Sequence, residues 1–465
     1  MTDQLGGLAA DTLATRPQLT ATELGPLLDS GALITDEQRR RPYYFDGRFL
    51  AARDLTQDQD YFLVRQADLG LTTGTGVAEG LQVSASAGAT SLHIAAGLGV
   101  TSAGEMVILR QDIDVDLADL PTIQRLDGAF GLAQTPHAPL RNRTGIFTVV
   151  LRPVEYTANP IASYPTTIDG KRTAQDGDIV EATAISLVPA GDPGTRGQFD
   201  QMRSELARQV FADNASQGGL GGALPVAMVA LDGGVVRWVD QYLVRREVGT
   251  ERGDLLRLSS TPRATREAYL LQYDAQLQDI IQVRGGRGQR FAATDYFQAL
   301  PPVGRVPVAV VDSTNFTQSY FPPQINVDLS IVPTDELMGL VEEGLQLPPI
   351  DLTLAAAELG STSVLLLIPL DRPTFTSFAT TLTERPRPLR TTFTVAARRL
   401  PFDSLGILSL PQLATGVLQP LPTLDSLWRS AVTSLGQNGF LWYVRRRNAS
   451  VRLDEIGIPV PVQGT

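Results

Sequence analysis

The segment LPVAMVALDGGVVRWVDQYLVRRE (224–247) gives the strongest evidence for the fold. Two apolar runs flank Asp232, Gly233 and Gly234. Glycine readily adopts the positive φ angles that a tight turn between antiparallel strands requires. The segment therefore predicts a β-hairpin.

Further strand-like runs precede this hairpin. SLHIAAGLGVTSAGEMVIL (91–109), GIFTVVLRPVEY (145–156) and IVEATAISLVP (179–189) are short apolar or alternating runs, several of them broken by Gly and Ser. Between them and the hairpin, residues 196–211 have a helical pattern. This part of the chain predicts a β-sandwich-like domain.

A helix precedes these strands, and a second one follows the hairpin. Asp54, with Gln57 three residues later, fits a capping box at the start of the first helix. Over 262–285, the apolar residues recur at i, i+3, i+4 and i+7, which predicts an amphipathic helix. That second helix is either a trimerisation stalk or a connector packed on a sheet.

Residues after 290 mix helical and strand-like patterns, including PTDELMGLVEEGL (333–345) and STSVLLLIPL (361–370). The fold class predicted for the whole chain is mixed α+β, β-rich and multi-domain. We expect four segments: an N-terminal arm over 1–40, a β-rich shell domain over 41–250, a helical connector over 251–290 and a C-terminal α/β domain over 291–465.

The composition excludes several functions. The 465 residues carry a net charge of −11, which argues against nucleic acid or an anionic membrane as the main partner. The chain has no cysteine, so it has no disulfide, thiolate nucleophile or Cys-ligated metal. The two histidines, His93 and His137, are far apart in sequence, and we predict neither a metal site nor a cofactor.

The N-terminus has no basic region followed by an apolar core, so it does not resemble a signal peptide. The longest apolar run, VLLLIPL (364–370), is far shorter than the ~20 residues that span a bilayer. These features predict cytoplasmic synthesis without membrane insertion.

Catalytic motifs are missing from the sequence. It contains no GxSxG elbow, HExxH motif or phosphate loop, and the Gly-rich stretches at 74–80 and 285–288 are interpreted as turns. DIDVD (112–116) is interpreted as a solvated strand face. We therefore predict that the chain is not an enzyme. A glycan hydrolase stays open, because its paired carboxylates are recognised only by geometry.

Two basic clusters are candidates for contacts with other proteins. They are RRR at 39–41 and RRR at 445–447, the second directly after FLWYV. Arginine and aromatic side chains are enriched at protein interfaces. The candidate interaction residues are Trp442, Tyr443, Arg445, Arg446, Arg447, Arg39, Arg40 and Arg41.

YYFDGRFLAARDLTQDQDYF (43–62), followed by GTGVAEGLQV (74–83), resembles a pattern in proteins encoded in contractile injection system and phage-tail loci. The run RFAATDYFQALPPVGRVPV (290–308) is similar to another segment of that family. The matching positions in the first block are Phe45, Gly47, Arg48, Leu50, Asp54, Leu55, Gln59, Asp60, Tyr61, Gly74, Gly76, Val77, Gly80, Leu81 and Val83.

The same N-terminal layout distantly resembles the trimeric baseplate subunit of type VI secretion systems. The resemblance implies a structural subunit at the baseplate or tail-fibre network of a phage-tail-like particle. Its implied partners are other baseplate or tail subunits and further copies of itself, with a homotrimer favoured. Two rival functions stay open, a receptor- or carbohydrate-binding module at a fibre tip and a tail-associated glycan hydrolase.

Overall fold

A computed structural model describes residues 19–120, 143–164, 172–190, 199–213, 220, 222–249, 261–381, 387–391, 421–436 and 439–446. His137 and Arg447 lie outside these ranges. The chain divides into two compact units, Met1–Leu69 and Gly70–Thr465. The architecture is mixed α+β and sheet-rich, which confirms the predicted fold class. The finer segment boundaries remain a prediction.

The first unit contains helix α1 (Ala21–Asp29) and most of helix α2 (Ala52–Thr73). The structure corrects the predicted capping box. Asp54 lies in the first turn of α2, and its carboxylate accepts a hydrogen bond from the backbone N–H of Ala51 at 3.1 Å. This carboxylate satisfies one of the donors that a helix start leaves unpaired.

The second unit begins with a sandwich of three antiparallel sheets. The first sheet has the order β1-β4-β5 and the second β2-β3-β6. The third has the order β10-β9-β7-β8 and contains the predicted hairpin, β9–β10. The strands are β1 (Gly76–Gly80), β2 (Val83–Ser84), β3 (Ser91–Ile94), β4 (Gly97–Val100), β5 (Met106–Leu109), β6 (Ile113–Asp116), β7 (Gly145–Ser163), β8 (Thr173–Pro189), β9 (Leu224–Asp232) and β10 (Val235–Asp240).

Both faces of β9 are buried. Val229 and Leu231 join the core between the sheets, whereas Met228 and Ala230 point to the opposite face. That opposite face is covered by helix α3 (Phe199–Phe211) and by the start of helix α4 (Arg263–Val283). Successive strand residues point to opposite faces, so one strand contributes to two cores.

Helix α4 joins the sandwich to the C-terminal sheet. Tyr269 packs with the sandwich core, while Tyr273 and Leu277 are fully buried in the C-terminal core. The apolar stripe of α4 therefore packs against two cores of this chain, and a part for this helix in oligomerisation remains a prediction.

The C-terminal region holds a seven-stranded sheet of order β12-β19-β17-β15-β18-β14-β13, and β11 pairs with β16 beside it. Strands β15 and β17 are parallel, with α5 and α6 between them in sequence. The elements are β11 (Ala299–Leu300), β12 (Val303–Pro307), β13 (Val311–Asp312), β14 (Thr317–Gln318), β15 (Asn326–Pro333), α5 (Thr334–Gly344), β16 (Ile350–Asp351), α6 (Ala356–Leu359), β17 (Ser363–Leu370), α7 (Arg372–Thr381), β18 (Arg387–Thr391), α8 (Leu421–Ser434) and β19 (Phe440–Arg445).

Among the helices in the described ranges, none is both long enough and apolar enough to cross a membrane.

Candidate interaction surfaces

The first unit carries an unusual amount of apolar surface. In its described part, Tyr61 is the only large hydrophobic side chain that is buried, and no residue of this unit belongs to a hydrophobic core cluster of the described chain. The exposed side chains are Leu19, Leu24, Leu28, Ile34, Tyr43, Tyr44, Phe45, Phe49, Leu50, Leu55, Phe62, Leu63 and Leu69. Large exposed apolar patches on soluble proteins mark interaction sites.

The exposed rings between Tyr43 and Leu50, called here the aromatic segment, are held by polar contacts. Gly47 has a φ of +87°, a left-handed conformation that glycine adopts without strain. The Arg48 guanidinium donates to the Tyr43 carbonyl and to the Asp54 carboxylate, and it lies over the Tyr44 ring. The rings are therefore presented on a fixed turn.

The charges around this turn support the same arrangement. The pKa of Asp54 is lowered, first by the hydrogen bond from the Ala51 backbone and then by Arg48. The pKa of Tyr44 is raised by desolvation and by the nearby Asp58 carboxylate. Asp54 thus remains an anion that anchors Arg48 at neutral pH.

The first predicted basic cluster lies beside α2, within the first unit. Arg39 forms ion pairs with Asp36 and with Asp68. The Arg41 guanidinium lies 5.6 Å from the centre of the Tyr61 ring. Arg40 is exposed. Two of the three arginines therefore make contacts inside this chain, and their role towards another protein remains a prediction.

The second predicted cluster lies on β19, inside the seven-stranded sheet. Tyr443 is fully buried, and its hydroxyl donates to the Pro301 carbonyl at 3.1 Å. Trp442 points to the opposite face, where it is half-buried against the core formed with α5. The two aromatic residues therefore pack within this chain, and Tyr443 presents no surface to a partner.

The arginines after these residues are tied to the same domain. Arg445 donates to the carbonyls of Pro348 and Pro349, and burial lowers its pKa. Arg446 forms an ion pair with Asp328 at 2.7 Å. Whether Arg445 and Arg446 also contact a partner stays a prediction.

A surface that the sequence did not indicate is a long two-stranded ribbon, Arg152–Ser163 of β7 paired with Thr173–Ala184 of β8. Strand β7 pairs with β9 only as far as Leu151, so the ribbon extends beyond the sheet. At ~3.4 Å per residue, it is about 40 Å long. Its exposed apolar side chains include Tyr156, Ile161 and Ile179.

His93 and the acidic side chains near it contact other groups of the sandwich. His93 lies 2.9 Å from the Asp114 carboxylate, and Asp112 accepts a hydrogen bond from the Ala96 backbone. Within the ranges that the structure describes, no group of three or more His, Asp or Glu side chains is arranged to hold a metal ion.

No protein-family model matches the sequence, and no curated protein matches it significantly. Solved structures that match part of this chain include the following three. A type VI secretion TssK–TssF–TssG baseplate subcomplex is 13% identical, and the match covers 53% of this chain and 70% of that chain with a TM-score of 0.21. A crystal structure of TssK is 15% identical, and the match covers 54% of this chain and 51% of that chain with a TM-score of 0.23. A type VI secretion baseplate complex is 14% identical, and the match covers 53% of this chain and 48% of that chain with a TM-score of 0.21. At TM-scores this low, the likeness does not establish a shared fold.

Proposed function

We propose that this chain is a structural subunit of a contractile, phage-tail-like injection particle, at its baseplate or tail-fibre network. It acts through protein–protein interfaces and performs no catalysis. The observation that supports this proposal is the first unit, whose described residues expose thirteen large hydrophobic side chains and bury one.

The physical argument is the balance between burial and chain entropy. Ordering the backbone of one residue costs about 1–2 kcal/mol. Fully burying a Phe or Leu side chain contributes about 1.5–3 kcal/mol, so a unit that buries one large side chain gains little from a core of its own. Phe49 is 90% exposed and Tyr43 72% exposed, which leaves this gain available to a partner surface.

The nature of the partner comes from the sequence resemblance. Residues 43–83 resemble a pattern in proteins encoded in contractile injection system and phage-tail loci, and other baseplate or tail subunits are therefore the proposed partners. We further propose cytoplasmic synthesis before incorporation into the particle, and a homo-oligomeric state.

The exposed rings also favour one rival function. A receptor- or carbohydrate-binding module needs accessible aromatic platforms, and the Tyr43 and Phe45 rings are exposed with their centres 6.2 Å apart. A glycan array probed with the purified chain separates the two functions. Saturable glycan binding that is lost in a Tyr43→Ala/Phe45→Ala variant would favour the rival.

The direct test uses cells that produce the particle. The chain is deleted and then replaced by the wild type, by Phe45→Ser/Phe49→Ser or by the control Met338→Ser. Met338, on α5, is 58% exposed, close to the 59% of Phe45. We expect the wild type and the control to co-purify with sheathed particles, and the double variant to be lost from them. Complete, contracting particles in cells without the chain would refute the proposal.

A further inference from the structure

One face of α2 is exposed along the whole of its length in the first unit. Six positions form this face, called here the outer seam: Ala52, Leu55, Gln59, Phe62, Gln66 and Leu69. All six are exposed, and Leu55, Phe62 and Leu69 are 53, 54 and 61% exposed. Tyr61, next to the seam, is buried, and its ring lies edge-on to that of Phe62 with 5.5 Å between the ring centres.

The spacing along the outer seam is that of a coiled coil. Its positions alternate in steps of three and four residues, with a large apolar side chain at every seventh residue: Leu55, Phe62 and Leu69. A strict seven-residue repeat drifts by about 20° per heptad around a straight α-helix, so it stays in register only with a second helix that supercoils around it. The large apolar positions span about 21 Å at 1.5 Å per residue.

The intervening seam positions are uncharged. Ala52 is small, and Gln59 and Gln66 carry flexible, uncharged amide side chains. A polar amide at such a position specifies register and orientation in coiled coils, at some cost in stability. The outer seam therefore has the chemistry of a helix-pairing surface rather than of a solvated face.

The charges beside the seam distinguish the two possible orientations. Asp58 and Arg65 lie seven residues apart on the same edge of the helix. In a parallel pair, this edge of the helix lies beside the edge that carries Leu63, and Asp58 gains no ion pair. In an antiparallel pair, Asp58 of each copy lies beside Arg65 of the other, which gives two symmetric ion pairs.

We propose that α2 pairs in antiparallel orientation with α2 of a second copy of this chain through the outer seam. In this register, Gln59 faces Phe62 of the second copy, Leu55 faces Gln66, and Ala52 faces Leu69. The interface is isologous, so each large side chain packs beside a smaller or more flexible one. The inference does not depend on the proposed role in an injection particle.

Disulfide trapping tests the orientation, because the chain has no cysteine of its own. Tagged Gln59→Cys is mixed with untagged Phe62→Cys and oxidised mildly. A disulfide forms only where two Cα atoms approach within about 7 Å. We expect a mixed-size dimer as the main product. The matched control Asp60→Cys, exposed but off the seam, should remain monomeric under the same conditions.

The other outcomes overturn the proposal. Predominant Phe62→Cys homodimers would indicate parallel pairing. No cross-link, or equal cross-linking of Asp60→Cys, would show that the outer seam does not bind a second copy, and would leave a helix of another protein as its partner.

A charge exchange tests the same register with the apolar seam intact. Asp58→Arg alone should weaken self-association at least tenfold by light scattering across a dilution series. Asp58→Arg/Arg65→Asp should restore it to within about threefold, because a tenfold change in affinity corresponds to about 1.4 kcal/mol. Thermal melting checks that both variants fold, since Arg65 also donates to the Tyr61 hydroxyl. Equal association of all three proteins would contradict the antiparallel register.

Discussion

The phenolic oxygens of Tyr273 and Tyr320 lie 2.8 Å apart in the C-terminal core, and both side chains are fully buried. The Tyr273 hydroxyl also donates to the Arg305 carbonyl at 2.7 Å. Tyr273 comes from α4 and Arg305 from β12, so this pair of hydroxyls attaches the connecting helix to the sheet. The ring of Tyr443 completes the cluster, edge-on to Tyr273.

Replacing Tyr273 by Phe removes the shared hydroxyl and leaves two buried polar groups unpaired. An unsatisfied buried group costs about 1–3 kcal/mol. We expect Tyr273→Phe to lower the free energy of unfolding by about 2 kcal/mol in urea titrations, with an unchanged m-value. Tyr156→Phe, on an exposed ring of the ribbon, is the control and should change stability by less than about 0.5 kcal/mol. Equal effects of the two substitutions would contradict the role of the hydroxyl pair.

The same cluster, together with the buried Tyr269 of the sandwich core, predicts how stability responds to alkali. Burial raises the pKa of Tyr269, Tyr273, Tyr320 and Tyr443 well above 10.0. Above pH 10.0 the unfolded chain therefore loses these protons while the folded chain keeps them, so the folded state becomes less stable as pH rises. Four groups give a limiting slope of about 5.5 kcal/mol per pH unit.

Ultraviolet absorbance of tyrosinate, followed with circular dichroism, checks this expectation. The exposed tyrosines should ionise first with the fold intact, and the buried four should ionise together with unfolding. Gradual ionisation of all the tyrosines while the fold persists would contradict the buried cluster.

The β9–β10 hairpin was predictable because its determinants are local. Gly233 and Gly234 have φ angles of +64° and +85°, the conformations that the DGG turn favours. The helix α4 was predictable from its apolar repeat for the same reason. Neither prediction required knowledge of distant residues.

The surroundings of β19 were not predictable from its own sequence. Leu441, Trp442, Tyr443 and Val444 form a continuous apolar run, so the two-residue alternation that would reveal one buried face is absent. The structure covers both faces of this strand, one with the core around Tyr273 and the other with α5. Tyr273 and α5 lie more than 90 residues away along the chain, and therefore the sequence around β19 does not reveal that Tyr443 is buried.

A buried ion pair joins the sandwich to its helices. The Arg203 guanidinium of α3 donates to the Asp240 carboxylate of β10 at 2.8 Å, and the Gln272 amide of α4 donates to the same carboxylate at 3.2 Å. Removing one partner of a buried ion pair typically costs about 3–5 kcal/mol, because the remaining charge stays uncompensated.

We therefore expect Asp240→Ala to lower the free energy of unfolding by about 3 kcal/mol or more. The matched control is Asp279→Ala, which removes the other carboxylate on Arg203. The side chain of Asp279 is 57% exposed, so its removal should cost less than about 1 kcal/mol. Equal losses from the two substitutions would contradict the importance of the buried carboxylate.

Gly304 of β12 is required for the packing of the tyrosine cluster. A Cβ atom at this position would lie 2.6 Å from the Tyr273 ring and 2.7 Å from the Tyr443 ring, both of which are fully buried. Overpacking a well-packed core costs about 1–3 kcal/mol. Gly304→Ala should therefore lower the thermal midpoint. Gly339→Ala on α5, where a Cβ meets open space, should leave the midpoint unchanged or raise it. Unchanged stability of Gly304→Ala would mean that the rings move aside at no cost.

The β7–β8 ribbon carries an unfavourable charge pair that can be reversed. Glu155 and Glu181 lie directly opposite each other in the antiparallel register, and both are exposed. Like charges at directly opposed positions are destabilising, whereas opposite charges stabilise a strand pair by about 0.2–1 kcal/mol. Glu181→Lys should therefore slow the hydrogen exchange of ribbon amides such as that of Val180.

The control Gln175→Lys adds a positive charge opposite Ile161 without removing the pair of glutamates. Salt at 1 M reduces the Debye length to about 3 Å, so the gain from Glu181→Lys should shrink there. A gain that persists at 1 M salt, or that Gln175→Lys reproduces, would show that the effect comes from net charge or strand propensity rather than from the opposed glutamates.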